Sequence, residues 1–349
     1  MSGRSLSHAN IRDADLLEEL ERNRSNPVLE VVVRQLEQKQ AKRDELAAMP
    51  RDKRRRATTR HEIAEKAPEL PDLRHIHSVL AVCGLPYRRQ PLEKREFERR
   101  QGQMKLIVEA GNLTSPDNGN KIKQPIPFGP KARLLMMHLC SEAVRQKSAT
   151  IAIADNLTAF MREMGFPATG GKKGTLHAFK EQLNALAAAR MTIAVWNGER
   201  AKQRYIQPFS EVDIWMPLNP EERMLWPTTL TFSLDFYESL KKHALPLNAK
   251  AVRAFAGSAR KLDLYFWLGW RLNNLETTKT ISWTALAEQF GTDYDRMDNF
   301  RRDFSSDLKA IQEVFPKLPT KLTEEGLVIA GAGPEVLALP EPRPAKKAG

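Results

Sequence analysis

A chain of 349 residues with 55 Lys and Arg against 43 Asp and Glu carries a net charge of +12, a balance that favours a polyanionic partner. Two cysteines in that length exclude a disulfide framework and fit a reducing compartment. No stretch approaches the ~18 apolar residues of a membrane span, and MSGRSLSHANIRDADLL has no signal-peptide core, so a soluble cytoplasmic protein with no membrane partner is expected.

Residues 1–70 form a charged N-terminal region with a helix expected from the Asn26-Pro27 step to about Ala48, bearing Val28, Val32, Leu36 and Leu46 on one side. The run Arg51 to Arg56 (RDKRRR) is either a solvated arm or an arm that binds phosphate, since composition alone does not separate the two. Residues 71–128 are a basic connector with a short strand at Lys105–Glu109 and a turn-rich stretch after Gly111.

From 129 the pattern sharpens. Pro130 opens a helix in which Ala132, Leu135, Met136, Leu139, Ala143 and Val144 recur at helical spacing. A short strand at Ile151–Ile153 follows, then a helix from Asp155 to Gly165 capped by that Asp, and a helix Thr175–Arg190. Met191–Trp196 and Arg204–Trp215 read as a hairpin about an Asn197-Gly198 turn, Thr228–Leu234 as another strand, and Phe236–His243 as a short helix.

The order then recurs: a helix Ser258–Asn273, a strand Thr280–Trp283, a short helix Thr284–Phe290, a long helix from about Asp293 to Phe315, and two strands around Glu325-Gly326. Ala132-Arg133 aligns with Ala259-Arg260, Ile151 with Ile281 and Phe160 with Phe290, at nearly constant offset. Helix, strand, helix, helix and a strand pair make a winged-helix pattern. The expected fold is therefore mainly α with small β wings (α+β), as tandem winged-helix domains at 129–247 and 248–332, with a disordered tail at 333–349.

The loop GFPATGGKKGT raises the question of a phosphate cradle. Counting back from Gly171-Lys172 puts Phe166 where a P-loop needs its first glycine and Lys173 where it needs a hydroxyl, so no nucleotide cofactor is expected. A basic turn touching DNA phosphate fits better, through Lys172 and Lys173, with Thr175 and His177 on the helix behind. That helix turns Leu176, Phe179, Leu183 and Leu186 to its core. Its other side, with Ala178, Glu181, Ala185 and Ala188, is small enough for close approach by a groove or by a second protein helix, as in a homodimer.

The last long helix divides cleanly. Met297, Phe300, Phe304, Leu308, Ile311 and Phe315 fall within about 80° of one another, opposite Asp295, Asn299, Arg302, Ser306 and Lys309. Arg, Asn and Ser are side chains that hydrogen-bond base edges in the major groove, and Lys suits phosphate. Arg296, Asn299, Arg302, Ser306 and Lys309 are the candidate DNA contacts of this helix; a solvated face with internal charge pairs is the alternative.

His75-Ile76-His77 has the His-hydrophobe-His spelling of metal-dependent rolling-circle nickases. The segment RHIHSVLAV reads as a helix start rather than a central strand, and none of the five tyrosines has a lysine three residues on. His75, His77, Cys83, His138 and Cys140 lack zinc-ligand spacing, so no metal is expected and the protein is read as no enzyme.

The phrases HSVLAVCGLPYRR, IVEAGNL, IPFGPKARLLMMHLCSEAV and TGGKKGTLHAFKEQLNALAAA resemble plasmid replication initiators of the RepA C-terminal family, over roughly residues 75 to 330. The resemblance implies binding to repeated double-stranded origin DNA, opening of the duplex and recruitment of host replication proteins such as a helicase or the host initiator. A DNA-binding transcriptional autoregulator and the nickase are the alternatives.

Overall fold

The computed structural model describes residues 10–65, 68–153, 157–167, 169, 174–215 and 226–340. The fold is α+β, largely helical, and the described strands form five small antiparallel sheets.

The N-terminal helices α1 (Ala14–Arg22) and α2 (Leu29–Ala48) close on a core of their own, Ile11, Leu16, Leu20, Val33 and Leu36. Gln40 is buried between them, its Oε1 accepting the backbone amides of Arg12 and Asp13 at 3.0 Å each. The basic run that follows is helical. It opens α3 (Arg51–Glu65), where Arg55 Nε donates to the Ala254 carbonyl at 3.1 Å and Glu62 accepts from Arg253. Part of the run is thus engaged in packing, which composition cannot reveal.

Leu73–His77 is a strand, β1, followed by the short helix α4 (Ser78–Val82). This corrects the expectation of a helix start at His75. The strand exists because Ala244–Asn248, far along the chain, supplies its antiparallel partner, pairing Leu73 with Asn248 and His77 with Ala244. The connector continues as β2 (Glu96–Gln101), β3 (Met104–Glu109), β4 (Asn112–Thr114) and β5 (Lys121–Lys123).

Two stretches then share one order of elements. The first runs α5 (Gly129–Gln146), β6 (Thr150–Ala152), α6 (Leu157–Glu163), α7 (Thr175–Ala188), β7 (Arg190–Trp196), β8 (Ala201–Ile206), β9 (Phe209–Trp215) and β10 (Trp226–Phe232). The expected cap Asp155 lies outside the described residues. Then come α8 (Leu234–His243), β11 (Ala244–Asn248) and α9 (Ala249–Phe255), the last two not foreseen. The second stretch runs α10 (Ala259–Asn273), β12 (Lys279–Ser282), α11 (Trp283–Phe290), α12 (Met297–Val314), β13 (Thr320–Leu322) and β14 (Gly326–Ile329). Their sheets match in order, β6-β10-β9 and β12-β14-β13. At the β13–β14 turn Gly326 has φ +155°, and a Cβ there would lie 1.9 Å from the Ile281 carbonyl oxygen, so only glycine fits.

The difference between the stretches is the β7–β8 hairpin, inserted after α7, which joins β2 and β3 in a sheet of order β2-β3-β7-β8. The expected single strand Arg204–Trp215 is split at Pro208, which has no N–H for a ladder; β8 stays with β7 and β9 crosses to β10. The expected two-residue turn is a four-residue loop, with Asn197 N donating to the Arg200 carbonyl at 3.1 Å and Gly198 at φ +98°.

Three further expectations change. Ala185 is fully buried, because α7 packs on α5 and β10 on one side and approaches β4 on the other; a Cβ on Gly111 would meet the Ala188 carbonyl at 2.0 Å. Ala185 is thus used within the chain, while Ala178, Glu181 and Ala188 are half-buried. Met297 is 39% exposed and lies outside the core stripe of α12. Residues 333–340, assigned by composition to a disordered tail, pack down with Leu337 and Leu339 buried and the Ala338 carbonyl accepting from Asn248 at 2.9 Å.

One apolar core runs from Ile76 to Leu339, and its middle holds a buried charge cluster. Asp263 on α10 accepts from both Nε and an Nη of Arg133 on α5, the latter at 2.7 Å, and from Arg99 on β2 at 3.3 Å. All three side chains are within 4% of complete burial. Arg133 also donates to the carbonyls of Leu85, Pro86 and Gly129, and both guanidiniums lie over the Tyr87 ring. Gly84 leaves room for the carboxylate: a Cβ there would sit 2.2 Å from Asp263 Oδ2. Asp263→Ala strands two buried guanidiniums and should lower unfolding free energy by about 3–5 kcal/mol in urea titration. Gly84→Ala should destabilise as well; wild-type midpoints for both would show that the cluster is dispensable.

Candidate nucleic-acid interface

Three devices hold α12 in place. Ser282 caps α11, accepting from Ala285 N at 3.2 Å, which fixes the start of the helix that precedes α12 and packs on it. Phe300, Phe304, Leu308 and Ile311 are buried, with Trp283 edge-on to Phe300 and Phe304 at 6.4 and 6.0 Å. Asp307, 5% exposed, pairs with Arg260 and with Lys261 of α10, the latter at 3.6 Å. Those partners tie the helix flank to α10 and leave its remaining side to solvent.

On that side Asn299 is half-buried, while Arg302, Ser306 and Lys309 are exposed, in one stripe nearly three turns long. Arg302 donates from Nε to Asp303 at 3.0 Å and from an Nη to Asn299 Oδ1 at 3.1 Å, with its side chain 70% exposed. Asp303 also accepts from the Tyr294 hydroxyl at 2.9 Å; that bond, the largest cause, and Arg302 hold its carboxyl below the usual range. Arg296 stands just before the helix, exposed and paired with Asp298 at 2.6 Å.

The stripe continues to Glu313, and there α3 covers it: Arg56 Nε donates to Glu313 at 2.8 Å. So the N-terminal part of the stripe is open and its C-terminal end is closed. Arg51, Lys53, Arg54 and Arg60 remain exposed on α3 beside that end, and Arg301 lies over the Trp283 ring at 5.3 Å. Sequence reasoning missed this neighbourhood, although Glu313 falls one turn beyond Lys309 on the same helical stripe.

The first stretch brings less together. Thr175 Oγ1 contacts Thr169 Oγ1 at 3.0 Å and donates to the Pro167 carbonyl, closing the loop ahead of α7. Its hydroxyl thereby has a structural job. His177 is half-buried in the first turn of the helix. Lys172 and Lys173 lie outside the described residues. No hydrogen bond or ion pair among the described residues joins Thr175 or His177 to the α12 group.

The imidazoles and thiols considered as ligands are occupied otherwise. His77 Nδ1 accepts from Val79 N at 3.2 Å and Nε2 meets Ser239 Oγ at 3.0 Å, so neither ring nitrogen has a free lone pair to offer a metal. Burial, with His243 nearby, lowers its pKa to about 4. Burial and Arg74 lower that of His75 as well. His138 stacks on Phe160 at 4.2 Å, and burial lowers it to about 4. Burial pushes both Cys83 and Cys140 up to about 12, far from the thiolate a metal needs. With β1 a strand, local structure no longer speaks against a histidine pair that binds metal; the bonded state of His77 does. Among the described residues no group of three His, Cys, Asp or Glu could hold a metal ion, and no helix is long and apolar enough to cross a membrane.

Residues 126–285 match the model of the family described as plasmid encoded RepA protein. That span runs from just before α5 to the start of α11. The polar stripe of α12 lies beyond it. No curated protein matches the chain. Two solved structures are similar: the selenomethionine derivative of domains 2 and 3 of RctB, at 10% identity over 70% of this chain and 87% of that one with a TM-score of 0.45, and RctB domains 2-3, at 10% over 72% and 94% with a TM-score of 0.43.

Asp303 sets an acidic partner against Arg302 on the open face. Asp303→Asn keeps an acceptor for Tyr294 but removes the charge, and should tighten duplex DNA binding about 2- to 5-fold at low salt, the weight of one exposed ion pair. Titration of a labelled duplex by fluorescence anisotropy measures it; weaker binding would place DNA elsewhere.

Proposed function

We propose that this protein initiates plasmid replication by binding repeated duplex sequences at its origin, opening the DNA there and recruiting host replication proteins. It does so without catalysing a reaction. The observation that carries this is the stripe Asn299, Arg302, Ser306 and Lys309, presented to solvent by a helix whose opposite face is locked into the core. The match of residues 126–285 to the RepA family supports the biological setting.

Each stretch of helix, strand, helix, helix and strand pair is read as a winged helix, one spanning 129–247 and the other 248–332. In such a unit the second long helix enters the major groove and the strand pair flanks it. α3 braces the second unit, and the connector strands and α4 pack against both units. Arg302 suits guanine, Asn299 adenine, and Ser306 either base. Lys309 and Arg296 contact phosphate on either side. In the first unit Lys172 and Lys173 contact phosphate ahead of α7, with Thr175 and His177 at the helix start.

Arg302→Ala should weaken binding to the parent plasmid's origin about 5- to 150-fold while barely changing binding to random duplex. Its thermal stability should stay near wild type, because the side chain is exposed. Equal losses on both DNAs would make Arg302 a phosphate contact, and no loss on either would sink the reading helix. Replacing Lys172 and Lys173 together with Ala should flatten the log–log salt dependence of duplex binding by roughly 0.9 for each phosphate that a lysine no longer neutralises. An unchanged slope would remove the loop from the DNA path.

A further inference from the structure

The inserted β7–β8 hairpin adds two aromatics, Tyr205 exposed and Trp196 half-buried, to the sheet face opposite the core side. Cross-strand partners share a face, so the register puts Phe97, Leu106, Val108 and Met191 on the buried side of the β2-β3-β7-β8 sheet. Trp196, Tyr205, Arg100, Lys105 and Gln203 fall on the other side. Tyr205, at 80% exposed, is the most exposed large apolar residue among those described. Trp196 is half-buried, with the Arg100 guanidinium 4.8 Å from its ring. Tyr205 faces Thr192 across the ladder, four residues from Trp196, so the two ring sites lie about 14 Å apart on neighbouring strands.

Arg100 and Lys105 share this face with the rings. Lys202 and Arg204 are exposed on the free edge strand β8 but alternate with Gln203 and Tyr205, so they fall on the other face. Of the acids on the ring face, Glu98 is taken by Lys105 at 2.9 Å, and Glu96 and Glu109 sit at the far end, beside Arg190. Lys202 and Arg204 on an edge strand discourage pairing with another strand. Flat aromatic faces beside arginine and lysine suit unpaired bases and their phosphates, whereas stacked base pairs in a duplex cannot reach a ring standing on a sheet.

We infer that this face binds single-stranded DNA, stacking bases on Tyr205 and Trp196 while Arg100 beside them neutralises the backbone. The site deepens the proposed function, since opening an origin exposes single strands, and it stands on residues separate from those of α12. Among the described residues the second stretch has no counterpart of this hairpin, so the insertion is not needed to complete a unit of this kind.

The test uses the full-length protein, a fluorescein-labelled dT20 oligonucleotide and a random 20-base-pair duplex. Tyr205→Ala should weaken dT20 binding about 5- to 150-fold, the weight of one base stack, and leave the duplex affinity unchanged. Trp196→Ala should act in the same direction, and dT20 should quench tryptophan fluorescence in the wild type only. Absence of dT20 binding by the wild type overturns the inference, as does an unchanged affinity in Tyr205→Ala or an equal loss on both DNAs. A shifted sedimentation profile in Tyr205→Ala with dT20 binding intact overturns it too, and makes the face a protein interface. None of these outcomes touches origin recognition by Arg302, which the duplex measurement reads separately.

Discussion

The carboxylate of Asp263 is the point at which three parts of the chain are made to agree. It is buried and therefore has to be matched, and the match comes from Arg133 on α5 and Arg99 on β2. Each guanidinium brings its own requirements. Arg133 collects the carbonyls of Leu85, Pro86 and Gly129, which fixes the segment between α4 and β2 as well as the start of α5. Arg99 reaches on to Thr292 Oγ1 at 3.2 Å, in the turn just ahead of α12. A pair of apolar side chains would fill the same space with less demand on direction. The charged cluster fixes the angle between the two repeated stretches because its hydrogen bonds tolerate few alternatives.

From that joint the posture of α12 follows. α10 carries Asp263 on one side and, on its first turn, Arg260 and Lys261, which hold Asp307 of α12. α3 closes the far end through Arg56 and Glu313, so the N-terminal helices are fastened to the same unit by Arg55 and Glu62. What is left uncovered on α12 is the stripe from Asn299 to Lys309. A surface so placed can meet a rigid duplex with little rearrangement, since the cost of ordering it is met when the core forms.

The sequence carried much of this and concealed some. Helices with apolar residues at regular spacing, α5, α10 and α12, are legible because local periodicity and burial coincide. The stripe on α12 is readable for the same reason: Phe300, Phe304 and Leu308 fix which side is inward. Strands made by distant partners are not readable. Leu73–His77 becomes β1 only when Ala244–Asn248 is present, and the split of β8 from β9 depends on Pro208 meeting a sheet edge. The role of the Arg51–Arg56 run is hidden because an anchored arginine and a solvated one have the same composition. Ala185 misleads for a related reason: smallness permits close approach without saying to what, and here the partner is the chain itself. Nothing local in Asp263, Arg133 or Arg99 marks them as partners, since their pairing spans more than a hundred residues.

The most direct measurement is hydroxyl-radical footprinting of the full-length protein on the parent plasmid. Protection should recur at evenly spaced direct repeats, with the major-groove side of each repeat covered by α12, and should fade at those repeats in the Arg302→Ala variant. A single protected palindrome at a promoter, unaltered by that substitution, would contradict both the reading helix and the initiator it is proposed to serve.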